Sequence, residues 1–164
     1  IGQGYDLHRI GAGRRLVLGG VVIPWDRGLI GHSDADVLLH AITDAVLGAL
    51  ALGDIGRWFP DTDPAFLDCD SAVLLQRVLR APHVIPWHLV NLDATILAQR
   101  PRLATHMDAI RARLADVFAV SPERISVKAK TGEGVDAVGR GEAMAAQAVV
   151  LLQHSSHAAA VGPL

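Results

Sequence analysis

Asp6 and His8 stand two residues apart in GYDLH. If that segment is a strand, their side chains leave one face about 7 Å apart along it and can grip one ion together. A lone D-x-H pair is more often an ordinary polar edge, so the weight falls on a third residue. His40 lies in GHSDADVLLHAITD, Gly31 to Asp44, on a stretch that reads as a largely apolar helix. An imidazole in that setting is usually a satisfied core residue. Taken with Asp6 and His8, however, it completes one carboxylate and two imidazoles, a ligand set suited to Zn²⁺ or another divalent cation with a fourth position open. An open position is where a reacting oxygen can bind.

The same stretch supplies more candidates. Ser33 reads as the helix N-cap with Asp36 as its capping-box partner, and its backbone N–H is expected to be open to an anion. Asp34 and Asp36 are expected in the first turn, where free N–H groups and the helix dipole favour acids. Asp36 also precedes His40 by four residues, so the two should meet on one face, with the acid orienting the ring. His32, before the cap, is expected to be the more exposed histidine.

A second cluster lies in KAKTGEGVDAVGRGE. Thr131, between Lys130 and Gly132, offers a hydroxyl and accessible N–H groups to a phosphate. Glu133 offers the single carboxylate that Mg²⁺ often accepts beside substrate phosphates. A third, AQRPRLA from Ala98 to Ala104, ends a strand and starts a helix, where backbone groups commonly meet ligands. Arg100 and Arg102 are also explained as solvated ends.

The elements that must position these residues follow from periodicity. Gly2 to Ile10 alternates as a strand, and RLVLGGVVIPW reads as a tight hairpin about Gly19 and Gly20 at a sheet edge, since Pro24 cannot donate to a ladder. The helix carrying His40 is expected to run to about Leu52 and stop at Gly53. LGDIGRWFPDTDPAFLDCDS reads as a long surface loop, and loops of that length tend to be functional. Asp70 or Ser71 caps a helix from Ala72 to Leu79. His88 to Gln99 alternates as a strand, with Leu89, Asn91 and Asp93 on one face and Val90, Leu92, Ala94 and Ile96 on the other. A helix follows Pro101 to about Val120, SPERI starts a turn with Pro at its first position, and ISVKAKT is a strand. TGEGVDAVGRG reads as a Gly-rich loop, EAMAAQAVVLLQH as the last helix, and residues 153–164 as a frayed tail. Alternating strands and helices predict an α/β (α+β) fold, a sheet with helices packed on one face, in a single domain over residues 1–164.

With 164 residues the chain can bury a continuous core. A net charge of −2 leaves no field to hold a nucleic-acid backbone, so any phosphate must be held locally. Cys69 is the single cysteine, so no intramolecular disulfide can form, in keeping with a cytoplasmic setting. No apolar run approaches the ~20 residues needed to span a bilayer. The 51% apolar composition hints at a buried subunit interface.

In order, GYDLH, the long GHSDADVLLHAITDAVLGALALGDIG block, FPDTDP, ATILAQRPRL, VKAKT-E and GRGEA closely resemble the 2-C-methyl-D-erythritol 2,4-cyclodiphosphate synthases. The resemblance runs from Gly2 to about Leu152. It implies a homotrimer with the active site between neighbours and an apolar cavity near the threefold axis. It further implies that Asp6, His8 and His40 hold Zn²⁺, and that Glu133 holds Mg²⁺ or Mn²⁺ with the substrate diphosphate. His32 and Ser33 would meet the methylerythritol phosphate, and Asp54, Ile55 and Gly56 the ribose and sugar-alcohol. Phe59, Pro60, Asp61, Thr62 and Asp63 would form a flap. Ala98, Gln99, Arg100, Pro101, Arg102, Leu103 and Ala104 would line the cytidine pocket. Lys130, Thr131, Gly132 and Glu133 would take phosphates, with His32 and Thr131 stabilising transition-state charge.

Some positions depart from the pattern. Lys130, Thr131, Gly132, Glu133 and Gly134 stand where relatives often have Thr-Thr-Thr-Glu-Lys, and Ala137 where many carry an aromatic lining the cavity. Arg140 is the residue that in relatives can face an isoprenoid diphosphate there. The competing expectations are a metal-dependent phosphoesterase and a trimer that binds isoprenoid diphosphates without catalysis.

Overall fold

The structure is a computed structural model that describes residues 1–158. A five-stranded sheet runs in the order β4 (Arg27–Ile30), β1 (Gly2–Ala12), β7 (Ala143–His154), β5 (Trp87–Leu97), β6 (Ile125–Lys130). All neighbours are antiparallel except β5 and β6, which are parallel. Between those two the chain crosses over through α4 (Met107–Phe118), as a parallel pair requires. α1 (Val37–Ala49) lies across β1 and β7, α4 lies on β6, and α3 (Ser71–Leu79) joins α1 to α4, so these helices form one layer over one sheet face. The expected architecture is present in that respect. One continuous apolar cluster, centred on Leu38, Leu39, Ile42, Leu92 and Ile96, fills the space between.

The segment expected to be the last helix is instead β7, the central strand. Its alanines favour a helix in isolation, but Ala146, Ala148 and Val150 alternate inward beneath α1, where only small side chains fit. Val149 and Leu151 point outward and hide the period of two because they too are apolar. Within the stretch expected as a frayed tail, residues 153 and 154 complete β7 and α6 (Ser155–Ala158) follows; 159–164 lie outside the described residues.

Other boundaries moved for local reasons. α1 ends at Ala49, three residues before the expected stop, with Leu50 as its C-cap. The hairpin β2 (Leu16–Leu18) and β3 (Val21–Ile23) forms its own two-stranded sheet rather than an edge of the large one. A bulge between Leu89 and Asn91 returns Leu89 to the core side with Leu92, reversing its expected face. The long loop contains α2 (Ile55–Trp58) and a 3₁₀ turn, Pro64–Phe66. A second 3₁₀ turn, Ala104–His106, precedes α4, and SPERI forms a third, Pro122–Arg124. The Gly-rich loop holds α5 (Asp136–Gly139).

Two glycines set the distance between sheet and helix. A Cβ on Gly4 would lie 2.0 Å from the Ala41 carbonyl oxygen, and one on Gly2 1.9 Å from that of Ala45. β1 therefore rests directly on the backbone of α1, and its next inward residues, Asp6 and His8, arrive beside His40.

Candidate active site

Asp6 Oδ2, His8 Nε2 and His40 Nδ1 form a triangle whose three edges are each 3.0 Å. In a tetrahedral site with bonds of about 2.0–2.1 Å, ligand atoms lie roughly 3.3–3.4 Å apart, so small outward movements would seat a divalent ion. The hydrogen placement agrees. His8 Nδ1–H donates to the Ile30 carbonyl at 2.9 Å, which leaves Nε2 facing the centre. His40 Nε2 lies 3.1 Å from Ser33 Oγ and 3.0 Å from Ser71 Oγ, so its Nδ1 faces inward. Two imidazole nitrogens and a carboxylate oxygen pointed at one another fit a metal ion, and these are the residues singled out from the sequence.

Burial alone would raise the Asp6 carboxyl, but hydrogen bonds and charge from His40 and His8 hold it well below the usual carboxylate range. Burial likewise disfavours a charged His8, yet Asp6 outweighs it and raises the His8 pKa above its ordinary value of 6.5. The sign differs between the two forms. In metal-free protein the Asp6–His8 pair stabilises the fold fully below pH 6.5 and is lost as pH rises through the raised pKa. A metal needs the neutral ring, so its affinity should fall by about tenfold per pH unit as pH drops below that pKa. Competition titrations between pH 5.5 and 8.5 check this; an affinity flat across that interval would contradict it.

The histidine orientation differs from expectation. Asp36, not Ser33, caps α1, accepting from Leu38 N–H and Leu39 N–H at 3.1 and 3.0 Å. Its carboxylate is fully buried and also accepts from Gly19 and Gly20 N–H, at 3.0 and 2.7 Å, pinning the β2–β3 hairpin to the helix. Facing four backbone donors, it has no part in orienting His40. Asp34 accepts the backbone N–H of the cap residue Asp36 at 3.2 Å and also grips Ser71. Ser71 carried no sequence signal beyond a cap; only the approach of α3 to α1 brings it to His40.

The triangle sits in a cleft of about 470 Å³ that also exposes His32, Ser33, Ile55, Gly56, Phe59, Pro60 and Asp61. Asp54 caps α2, accepting Arg57 N–H at 2.9 Å. Asp44, unassigned from the sequence, accepts Ile55 N–H at 2.7 Å and ties α2 to the His40 helix. The segment from Phe59 to Asp63 is anchored by Phe59 edge-on to Phe66, centroids 5.2 Å apart, and by His32 Nε2–H donating to the Asp63 carbonyl at 3.0 Å. Thr62 lies on the exposed turn between.

The remaining candidates gather elsewhere. Ala98, Gln99, Pro101, Arg102, Leu103, Ala104, Lys130 and Thr131 line a second cleft of about 350 Å³. Thr131 Oγ1 donates to the Glu133 carboxylate. Arg100 and Arg140 border a third cleft, where Arg140 pairs with Glu142 through bonds of 2.9 and 3.2 Å. The register Leu7, Ala145, Leu97, Lys130 runs straight across the sheet, so three strand spacings, about 14 Å, separate Leu7, which Asp6 and His8 flank, from Lys130, the neighbour of Thr131.

An α/β fold with a three-donor cluster that could hold a metal ion, lining a cleft beside α2, is the arrangement of an enzyme. The chain belongs to the YgbB family, whose model matches residues 1–153. It is 60% identical to a 2-C-methyl-D-erythritol 2,4-cyclodiphosphate synthase of Moorella thermoacetica over 152 residues, 93% of either chain. The fold is similar to the bifunctional IspDF of Campylobacter jejuni, with TM-score 0.89 and 41% identity over 93% of this chain and 42% of that one. It is also similar to a CDP-bound 2C-methyl-D-erythritol-2,4-cyclodiphosphate synthase, with TM-score 0.84, 38% identity, and 93% and 99% of the two chains covered. No helix among the described residues is long and apolar enough to cross a membrane.

Proposed function

We propose that this chain converts 4-diphosphocytidyl-2-C-methyl-D-erythritol 2-phosphate to 2-C-methyl-D-erythritol 2,4-cyclodiphosphate and CMP, as a single cytoplasmic synthase domain. The observation that carries the reading is the Asp6–His8–His40 triangle beside His32 and Ser33 in one cleft. One oxygen of the 2-phosphate attacks the β-phosphorus as the bond from that phosphorus to the oxygen bridging to the α-phosphate breaks. The electron pair leaves with CMP, and no water is consumed. The nucleophile is already an anion, so no strong base is required, and the task is alignment and charge neutralisation.

Zn²⁺ held by Asp6, His8 and His40, with Mg²⁺ or Mn²⁺ at Glu133, would supply Lewis-acid polarisation and neutralise the diphosphate. His32, once its Nε2–H is released from the Asp63 carbonyl, can donate to a phosphate oxygen. Thr131 can donate its hydroxyl hydrogen to another. Asp54, Ile55 and Gly56 would orient the sugar-alcohol and ribose, and the flap from Phe59 to Asp63 would exclude water.

Because about 14 Å of sheet separates the strand segment that bears Asp6 and His8 from the one that leads into Thr131 and Glu133, one diphosphate cannot touch both within a single chain. That separation supports a site shared between neighbouring copies in a homotrimer, one supplying the triangle and the next the cytidine cleft. The apolar residues Tyr5, Leu7, Val149 and Leu151, 41–50% exposed on the open sheet face, suit burial in such an assembly. Gln99 Oε1, buried without a hydrogen-bond partner among the described residues, would be satisfied by substrate or by the neighbour.

Phosphorus NMR of metal-replete protein with the diphosphocytidyl substrate tests the proposal. Coupled cyclodiphosphate doublets should appear with CMP, vanish on chelation, and carry no ¹⁸O from labelled water. Inorganic phosphate, or solvent oxygen in the products, would establish a phosphoesterase instead; unchanged substrate would leave a binding protein.

A further inference from the structure

A neutral His40 has one hydrogen to place on two nitrogens, and carboxylates pull on it from opposite sides. Asp6 Oδ2 lies 3.0 Å from Nδ1. Beyond Nε2 stands Ser71, whose side chain is fully buried. Asp34 holds Ser71 at two points: the backbone N–H donates to Oδ2 at 3.2 Å, and the hydroxyl donates to Oδ1. A carboxylate has no hydrogen to return. The Ser71 hydroxyl hydrogen is therefore committed to Asp34, and the oxygen can only accept from the ring, 3.0 Å away.

We propose that Asp34 and Ser71 are positioning residues that hold the His40 hydrogen on Nε2 and so present a bare Nδ1 to the metal. Without them, Nε2 keeps only Ser33 Oγ, 3.1 Å away, a hydroxyl that can donate as readily as accept and so fixes no tautomer, and Asp6 beside Nδ1 would draw the hydrogen to the very nitrogen that must ligate. This rests on the reading of the triangle as a zinc site. Asp34 opens onto a separate shallow cleft beside Arg14 and Arg15, and Ser71 is buried, so both act through His40 rather than on substrate. Groups that orient a ligating histidine typically change metal affinity 10–100-fold when removed.

Zinc affinity of the metal-stripped full chain, measured by competition with a chromophoric chelator, is read beside the His40 tautomer from long-range ¹H–¹⁵N spectra of the same zinc-free sample. Ser71→Ala should weaken zinc binding 10–100-fold and move ring hydrogen from Nε2 to Nδ1. Ser71→Thr, which keeps the hydroxyl, should restore both. Asp34→Asn should shift both in the direction of Ser71→Ala; should it fail to fold, Ser71→Ala still decides, because it deletes one oxygen and leaves the Asp70 cap intact. Zinc affinity within twofold of wild type, or an affinity loss with an unchanged tautomer, overturns the proposal. A wild-type chain that binds no zinc, indistinguishable from Asp6→Ala, overturns the zinc reading itself.

Discussion

His40→Ala should abolish metal binding at the Asp6–His8–His40 triangle and lower turnover by about three orders of magnitude or more. Alanine removes one of three donors whose edges are each 3.0 Å, leaving Asp6 and His8 as a two-point grip. It also strands the hydroxyls of Ser33 and Ser71, which now face the ring nitrogen. Elemental analysis of the purified variant, together with CMP release followed by phosphorus NMR, checks the prediction. Metal content equal to wild type with near-normal turnover would remove His40 from the site.

The second large effect is steric and begins far from any substrate. In Gly4→Val the new Cβ would fall 2.0 Å from the Ala41 carbonyl oxygen and 2.8 Å from the Ala45 nitrogen. Both are backbone atoms, so α1 itself must retreat by about 1 Å or more. Overpacking against unyielding backbone belongs at the upper end of such penalties, about 3 kcal/mol or more, or a fall in melting temperature of roughly 6–12 °C. Ala41 adjoins His40, so the retreat also opens the metal triangle, and zinc affinity should fall with stability. Gly48→Ala, on the same helix, is the contrasting case. Its Cβ would find only Gln3 O at 3.7 Å, and relief of a helical glycine should stabilise by up to about 1 kcal/mol. Thermal melts of the two variants at matched protein concentration check the pair; equal and small effects would mean that β1 does not rest on the α1 backbone.

Residue type and spacing by themselves determined which donor atoms the site could offer. One acid and two imidazoles in D-x-H and on a helix already name a metal ligand set, because donor atoms are a property of the side chains. The hairpin at Gly19–Gly20, the strand carrying Asp6, the strand that ends at Lys130 just before Thr131, and the helix carrying His40 were legible for a similar reason, since turn residues and periodicity act locally. Tertiary structure decided what local signals could not. β7 is a strand because a sheet already bounded by β1 and β5 offers its backbone groups two ladders, which outweighs the helical preference of its alanines. Asp36 binds Gly19 and Gly20 rather than His40 because the hairpin folds back onto the helix start, a contact between segments 16 and 17 residues apart. Ser71 meets His40 across 31 residues for the same kind of reason. Hydrogen-bond partners are chosen by which unsatisfied groups arrive together, and arrival is a matter of packing.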